Sequence, residues 1–325
     1  MSATANSNRD PQQRVWKLVS LSPLYSLWGL HGTSISVIAR RTWKSFLADN
    51  LLGRAAELGF YFLFALFPIL FSASSILGLI AGSASHIYEA LLRYLSLVMP
   101  TEALGSVVAI FRETMEASNS GKLTFGLIAT IWSASVGISA IQDTLNAVYK
   151  VQETRSYIKA RLQAIGVTII LTVLGTLWLA SMLGADFFAA VASYRIHDHF
   201  VAMCAVIAVR LIGWTIATVF LTLSFAVIYY WAPAVRKRRW HWLSIGGVVG
   251  IAGWLVASLG LRIYLHFFNN YSVTYGSLGA VIILLTWFYI TGLMILLGAE
   301  INSEVEAAAA ERRLNPQTPP PAPTF

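Results

Sequence analysis

The segment at residues 274–306, TYGSLGAVIILLTWFYITGLMILLGAEINSEVE, combines a long apolar run with an abrupt acidic end. No charged residue occurs from Leu278 to Ala299, and the run stops at Glu300, which is followed by two more glutamates. A helix rises about 1.5 Å per residue, so a run of this length can cross a hydrocarbon core of about 30 Å. The segment therefore predicts a membrane-spanning helix whose acidic end lies where the helix leaves the lipid.

The composition of the whole chain agrees with a membrane location. Of the 325 residues, 57% are hydrophobic and only 12% are charged, whereas a soluble domain has about 25% charged residues. The formal charge of +8 predicts no nucleic-acid partner, because the basic residues are spread between apolar runs. The single Cys204 cannot form an intrachain disulfide, and we expect it to pack as a small apolar residue.

Six apolar runs are long enough to span a bilayer. The fold class predicted is all-α integral membrane, with six transmembrane helices, an N-terminal amphipathic interfacial helix and short outer-face helices. The interfacial helix is predicted from the basic, amphipathic sequence SISVIARRTWKSFLADNLLGRAAE, and the outer-face helices from residues 83–120. The six runs are residues 55–81, 123–147, 162–192, 200–231, 242–268 and 275–301.

The distribution of lysine and arginine predicts the orientation. These residues concentrate in the N-terminal segment, in the loops after the second and fourth runs and in the tail, whereas the alternate loops hold few. The positive-inside rule then places both termini in the cytoplasm. The chain divides into a cytoplasmic N-terminal segment with the interfacial helix (1–43), a membrane domain (44–306) and a proline-rich tail predicted to be disordered (307–325).

Three ordered blocks resemble one known family. The closing segment YGSLGAVIILLTWFYITGLMILLGAEINSEVE, the block AAELGFYFLFALFPILF and the block WSASVGISAIQDTLNAVYKV are similar to those of the YihY / virulence-factor BrkB family of bacterial inner-membrane proteins. Glu57 departs from the family's usual alanine-rich first block. The resemblance implies a six-helix membrane protein. Some members carry a ribonuclease BN label, and others have been linked to serum resistance or to transport of envelope components.

Polar residues recur at helical spacing inside two of the runs. Intramembrane polar and charged residues are costly, so they usually face the protein interior or water. If the two stripes share a cavity, they form a polar route across the bilayer, since each begins near mid-membrane and they run to opposite faces. The stripe of the second run comprises Ser135, Ser139, Asp143 and Asn146, and that of the fifth run comprises Ser258, Arg262, His266 and Asn269.

Charged residues near the ends of the runs suggest two further sites. Arg210 and Arg262, with His266, are predicted to form an outer basic site suited to an anionic headgroup or solute. Glu57, Asp143 and Glu300 are predicted to form an inner acidic cluster relevant to ion or proton coupling.

Simpler interpretations of these residues remain open. Glu57 and Glu300 can reach water from the ends of their helices, and Asp143 can serve in a structural hydrogen bond or ion pair. Arg262 can pair with Asp186 or with a backbone carbonyl. The glycines at 246, 250 and 253 indicate close helix packing.

Motifs for enzyme chemistry are missing from the sequence. No phosphate-binding glycine loop, GxSxG motif or HExxH motif occurs, and the compact His197-Asp198-His199 group lacks further ligands for a catalytic zinc site. We therefore expect a protein that is not an enzyme and that binds neither cofactor nor metal. Its partners are expected to be membrane lipids and envelope-assembly proteins, with no nucleic acid; the sequence does not define the oligomeric state.

The leading functional hypothesis is a transporter or exporter of a lipid-linked or anionic envelope component in the bacterial inner membrane. The alternative is a structural or assembly partner of envelope machinery, in which the polar residues only join helices. Ribonuclease activity is not expected, because the sequence offers neither a soluble catalytic domain nor a metal cluster.

Overall fold

A computed structural model describes residues 15–16, 19, 34–79, 104–105, 108, 120–196, 198–235, 240, 242–267 and 277–314, and the regular structure within them is helical. The six apolar runs correspond to six helices whose ends differ from the predicted ends by a few residues, apart from the C-terminal end of the last. An amphipathic helix precedes them. The helices are α1 (Ile35–Ala48), α2 (Leu51–Leu79), α3 (Ser120–Val148), α4 (Tyr157–Arg195), α5 (His199–Trp231), α6 (Ile245–Phe267) and α7 (Ser277–Leu314).

Among the residues that the structure describes, four helices, α4 to α7, are long and apolar enough to cross a membrane. The other two long helices, α2 and α3, have 29 residues each. The α4 and α5 helices pack along each other, α2 packs on α3, and α7 contacts α1, α2, α3 and α6. The helix α7, which contains most of the segment 274–306, is therefore the element around which several others are arranged. The largest fully buried apolar side chains include Leu51, Leu58, Ile141, Leu145, Leu284 and Leu296.

Glycines bring α6 and α7 into backbone contact. A Cβ atom added to Gly246 would lie 1.9 Å from the carbonyl oxygen of Gly298, and one added to Gly250 would lie 3.0 Å from that of Met294. A Cβ on Gly253 would meet the Met294 sulfur at 2.8 Å. The close packing predicted from the small-residue face of the fifth run is therefore confirmed.

The last turns of α7 correct the predicted C-terminal boundary. Residues 307–314 were expected to belong to a disordered tail, but α7 continues to Leu314 and its four alanines at 307–310 are buried. Alanine is the strongest helix former, and the segment packs on α1, where Val305 and Ala309 form a small core with Ile38. The helix therefore extends because another helix covers it.

The amphipathic helix α1 runs antiparallel to this end of α7. Ser45 donates a hydrogen bond of 2.7 Å to Glu304, and Arg41 binds Glu311 at 2.8 Å. The location of α1 at the membrane interface stays a prediction.

The predicted outer-face helices lie almost wholly outside the described residues. Cys204 is exposed on α5, so its expected place in the core is wrong.

Candidate functional site

One end of the bundle brings several helix ends together, and we call it the basal end. It contains the turn between α1 and α2, the α3–α4 loop, the C-terminal end of α5 and the start of α6. Lys150 binds Asp49 there, and Asn302 of α7 binds the backbone N–H of Gly246 at 2.9 Å. The opposite end, which contains the α4–α5 connection and the C-terminal end of α6, is called the distal end.

The α3 stripe consists mainly of residues with structural hydrogen bonds. The buried hydroxyl of Ser135 donates to the Trp132 carbonyl at 2.7 Å, and Ser139 donates to the Ser135 carbonyl at 3.0 Å. Ser139 also accepts a 3.2 Å hydrogen bond from Arg161 of α4. Asp143 is exposed. These contacts show how the stripe joins α3 to α4, while Asp143 stays accessible.

The α6 stripe is less completely bonded within the described residues. The Ser258 hydroxyl oxygen is buried and has no hydrogen-bond partner among them. Arg262 is half-buried, and His266 is exposed. Asn269 lies outside the described residues. The α3 and α6 helices are not among the helix pairs with extensive contact, and the shared polar route stays a prediction.

The predicted outer basic site maps to the distal halves of two helices. Arg210 is exposed on α5, whereas Arg262 and His266 lie on α6. These two helices contact each other much less than α4 contacts α5. The cooperation of the three side chains in one site stays a prediction.

The predicted acidic cluster separates into two environments. Asp143 is acted on by the charges of Glu57, Glu153 and two arginines, and both Glu57 and Asp143 are exposed. Glu300 is fully buried, and the charges that act on it most strongly belong to Asp49, Glu304 and Lys150. The expectation that Glu300 reaches water is wrong, because α7 continues beyond it and α1 covers that part of the helix.

The environment of Glu300 is unusual for a carboxyl group. Neither of its oxygens has a hydrogen-bond partner among the described residues, and the same holds for the buried second oxygen of Asp49. The other Asp49 oxygen binds Lys150, whose backbone is left-handed with φ 51°. Burial of a carboxylate without partners is costly. Glu300 is therefore a candidate group for binding a proton or a cation.

A cavity of about 460 Å³ lies beside these residues. Ser45, Lys150 and Glu304 line it together with further charged residues. Lys150 and Glu304 also act electrostatically on Glu300. The cavity therefore gives polar surroundings on one side of the buried acid. Its other charged lining residues are Arg41, Lys44 and Glu311.

A second polar network, which we call the basal latch, joins α3, α4 and α5 through Asn146, Glu153, Arg155 and Gln163. Asn146 accepts a hydrogen bond of 2.6 Å from the N–H of Ala234 and donates one of 2.9 Å to Glu153. Arg155 donates to Glu153 at 2.5 Å and to Gln163 at 2.6 Å. These contacts fix the α3–α4 loop against the end of α5, where Gln163 donates to the Trp231 carbonyl and Arg155 to the Ala232 carbonyl.

The electrostatics of the latch follow from Arg155. Its side chain and backbone N–H both donate to the Glu153 carboxylate. These hydrogen bonds, with that from Asn146, lower the pKa of Glu153 to about 2. The loop therefore holds a stable ion pair at ordinary pH.

Sequence reasoning found Asn146 and Glu300 but missed most of their partners. Periodicity indicates which residues share a face of one helix, but it does not identify the face of another helix that they meet. The missed residues are Asp49, Lys150, Glu153, Arg155, Gln163, Glu304 and Asn302. For Asp49, Lys150, Glu153 and Arg155 the signal was their position between helices, where polar side chains satisfy free backbone groups. Gln163, Asn302 and Glu304 lie inside their helices and gave no such signal.

Comparison with known proteins places the chain in a family. The family model for the virulence factor BrkB matches residues 42–322. A ribonuclease-like protein, YfkH, of Bacillus subtilis (strain 168) is 34% identical over 258 residues, covering 77% of this chain and 88% of the relative. A UPF0761 membrane protein of Xanthomonas oryzae pv. oryzae (strain PXO99A) is 27% identical over 271 residues, covering 82% of this chain.

The chain spans 60% of the length of that Xanthomonas relative. Within the part of the chain that the structure describes, no group of three or more histidine, cysteine or acidic side chains could hold a metal ion. No solved structure matches the chain significantly. The family match covers most of the sequence and includes all three blocks on which the resemblance rests. The protein is thus a membrane protein of the virulence factor BrkB family.

Proposed function

We propose that this protein is a transporter or exporter in the bacterial inner membrane, and that it moves a lipid-linked or anionic envelope component through a polar intramembrane route. In this proposal α2 to α7 all cross the membrane, and residues 44–306 form one membrane domain. The basal end faces the cytoplasm, together with both termini. The excess of basic residues in the loops at that end supports this orientation.

Ser258 is the observation that carries the proposal. The described threonines of α4, α5 and α7 satisfy their hydroxyl groups by donating to the carbonyl four residues earlier, as in Thr172, Thr218 and Thr286. Ser258 makes no such bond, although its oxygen is buried. A polar group left unsatisfied at membrane depth is costly unless water or a solute reaches it. The α6 stripe is therefore suited to line a route.

The remaining predicted residues have defined roles in this proposal. Arg210, Arg262 and His266 receive the anionic group at the distal end, and the two stripes carry it through the bilayer. The basal latch closes the cytoplasmic end, because it ties the α3–α4 loop to α5. Glu300 couples transport to a proton or cation, with Glu57 and Asp143 as accessible acids on the same side.

The second candidate is a structural or assembly partner of envelope machinery. The hydrogen bonds of Ser135, Ser139 and Asn146 favour it, since each has a structural partner. In both candidates the protein is not an enzyme, its partners are lipids or envelope proteins, and it binds no nucleic acid. The name of the Bacillus relative describes that protein as ribonuclease-like, and we do not propose that activity for this chain.

Flux measurements test the transport proposal. The protein is reconstituted in liposomes, and movement of fluorescently labelled phosphatidylglycerol across the bilayer is compared with protein-free vesicles. Arg210→Ala and Arg262→Ala should each slow movement by about tenfold, since each removes one charge-assisted contact. Arg195→Ala is the matched control, because Arg195 is an exposed arginine at the end of α4. Equal rates in all variants would rule out the basic site.

Thiol labelling separates the two candidates. Cys204, which is exposed, is first replaced by alanine, and single cysteines are then introduced as Ser139→Cys and Ser258→Cys. A water-filled route predicts that a membrane-impermeant maleimide labels Ser258→Cys in intact membranes. Protection of both positions, with labelling restored by denaturation, would favour the structural role.

A further inference from the structure

The cavity of about 460 Å³ beside Glu300, which we call the polar cavity, is bounded by three parts of the chain besides residues 15 and 16. These parts are α1, Lys150 just after α3, and the last turns of α7. The volume falls within the range of about 300–1,000 Å³ that is typical of small-molecule sites. The polar cavity is therefore large enough to hold a small organic molecule.

The polar cavity lies beyond the apolar part of α7. The last apolar run ends at Ile301, whereas Glu304, Ala307 and Glu311 of the same helix line the cavity. At about 1.5 Å per residue, Glu311 is about 15 Å past Ile301 along the helix. In the orientation proposed above, the cavity thus lies on the cytoplasmic side, outside the hydrocarbon core. We therefore expect its ligand to be a water-soluble molecule.

The acidic side chains of the polar cavity are already bonded to other residues that line it. Glu311 accepts a hydrogen bond of 2.8 Å from Arg41, and Glu304 accepts one of 2.7 Å from Ser45. Lys44 also lines the cavity, is exposed, and forms no ion pair with a described residue. Lys44 therefore presents the cavity with a positive charge that can bind an anionic ligand.

Lys150 adds a second cation, which the fold holds in a fixed place. Its ammonium binds Asp49 in the turn between α1 and α2, and its backbone is left-handed with φ 51°. This conformation favours glycine, so a lysine there carries a conformational cost. An ammonium has three N–H donors, so the contact with Asp49 leaves donors for a second anion. The turn thus holds a cation at the wall of the cavity.

Arg41 completes the set of donors. Its guanidinium uses the Nη1 atom to bind Glu311, and further N–H groups of a guanidinium remain for another acceptor. Arg41 and Lys44 are three residues apart on α1 and so lie on one side of the helix. Arginine and lysine side chains that line one cavity are typical ligands of phosphate groups.

We propose that the polar cavity binds a small phosphorylated solute that also carries hydroxyl groups, the chemical class of the sugar phosphates. The phosphate binds Arg41, Lys44 and Lys150. The hydroxyl groups donate to the second carboxylate oxygens of Glu304 and Glu311. The site shares no residue with the two stripes, so the binding does not depend on a transport route.

Isothermal titration calorimetry of the full chain in detergent tests the site, with ribose 5-phosphate as the probe and ribose for comparison. The unmodified protein should bind one ribose 5-phosphate per chain. It should bind no measurable ribose, because ribose lacks the group that the three cations contact. Phosphatidylglycerol in mixed micelles should not displace the probe. Displacement by this lipid would assign the cations to a membrane headgroup and overturn the proposal of a soluble ligand.

Substitutions on α1 test the charge. Lys44→Gln should weaken binding of ribose 5-phosphate by about tenfold, because it removes one charge-assisted contact. Arg40→Gln is the matched control, since Arg40 is exposed on α1 but does not line the cavity. Neither residue forms an ion pair with a described residue, so neither substitution breaks one. Equal weakening by both would show a non-specific attraction and overturn the site.

A substitution that keeps the charge tests the cavity itself. Ala48 is an exposed residue of the lining, and Ala48→Trp should weaken binding by about tenfold or more, because the indole ring takes the volume that the ligand needs. Leu47→Trp is the control, since Leu47 is exposed outside the cavity. Folded unmodified protein that does not bind ribose 5-phosphate, or folded Ala48→Trp that binds it unchanged, would overturn the proposal.

Discussion

The basal and distal halves of the bundle hold their helices together in different ways. At the basal end, side chains bind backbone groups of other helices or of the segments next to them, as when Asn302 binds the N–H of Gly246 and Asn146 binds that of Ala234, just after α5. In the distal halves of α4 and α5, Ser181, Ser193 and Thr215 donate to carbonyl groups of their own helix. Hydrogen bonds between helices specify which helices meet, whereas hydrogen bonds within a helix do not.

Several glycines show a similar difference. The Cβ of an alanine would collide with a neighbouring backbone at Gly246 and at Gly298, but it would meet nothing within 4 Å at Gly184 or Gly260. Within α6 and α7, close backbone contact is therefore concentrated at the basal end, whereas the distal halves of α4 and α5 also approach closely, since a Cβ on Gly213 would lie 2.3 Å from the Ala185 Cβ. We infer that the glycines at the basal end fix the contact between α6 and α7, and that the distal end of α6 tolerates larger side chains.

The largest expected loss of stability comes from Gly246→Leu. The new side chain would start 1.9 Å from the Gly298 carbonyl oxygen, so α6 and α7 would have to separate. We expect a loss of about 3 kcal/mol or more in the free energy of unfolding, measured as a large fall in melting temperature and in the yield of monodisperse protein. Gly260→Leu is the control, with an effect within about 0.5 kcal/mol. Equal losses in both variants would contradict the difference between the two ends.

The next largest loss of stability is expected from Asn302→Ala. Asn302 accepts from the Gly246 N–H at 2.9 Å and donates to the Ser244 hydroxyl at 2.9 Å. Its removal leaves a buried backbone donor without a partner, which lowers stability by about 2 kcal/mol. Thermal unfolding in detergent measures the change. Ser193→Ala, at an exposed distal hydroxyl that binds only its own helix, should leave the melting temperature unchanged.

The sequence predicted the long helices well and the contacts between them poorly. Apolar run length is a local property, so the fourth and fifth runs could be located within a few residues. The burial of Glu300 depends on α1, which lies some 250 residues earlier in the chain and covers the end of α7. Such a contact produces no periodic signal in either segment.

Part of the candidate site could be predicted, because helical spacing is also a local property of the sequence. The spacing of Ser135 and Ser139 correctly placed them on one face of α3, but not their contact with Arg161. The sequence-based prediction grouped the alanines at 307–310 with the proline-rich tail. The packing of Ile38 against Ala309, and the place of Ala307 and Ala310 in the main core, show that this part belongs to the bundle.

Replacing Glu300 with methionine is expected to raise the stability of the protein, whereas the two preceding substitutions lower it. Because neither carboxylate oxygen has a hydrogen-bond partner among the described residues, Glu300→Met replaces a poorly satisfied buried group with an apolar one of similar length. The variant should be about 1–2 kcal/mol more stable and should lose any proton-coupled or cation-coupled transport. Glu304→Met, which removes the hydrogen bond from Ser45, should instead lower stability. Destabilisation by both substitutions would show that Glu300 has a structural partner.

The smallest expected effect concerns the basal latch and its pH dependence. The pKa of Glu153 is about 2 in the folded protein and 4.5 in its ordinary state. The ion pair with Arg155 therefore stabilises the fold above pH 4.5, and this contribution is lost as the pH falls from 4.5 towards 2. Because the pair is partly exposed, we expect only about 1 kcal/mol.

Melting temperatures between pH 3 and pH 7 measure this contribution, with the unmodified protein compared to Glu153→Gln. The difference in stability between the two should be constant near neutral pH and should shrink at the acidic end, because protonation removes the charge that the substitution also removes. Glu57→Gln is the control, since Glu57 is an exposed acid on α2 that takes no part in the latch. A Glu153→Gln difference that stays constant over the whole range would show that the latch acts through Asn146 and the backbone rather than through this ion pair.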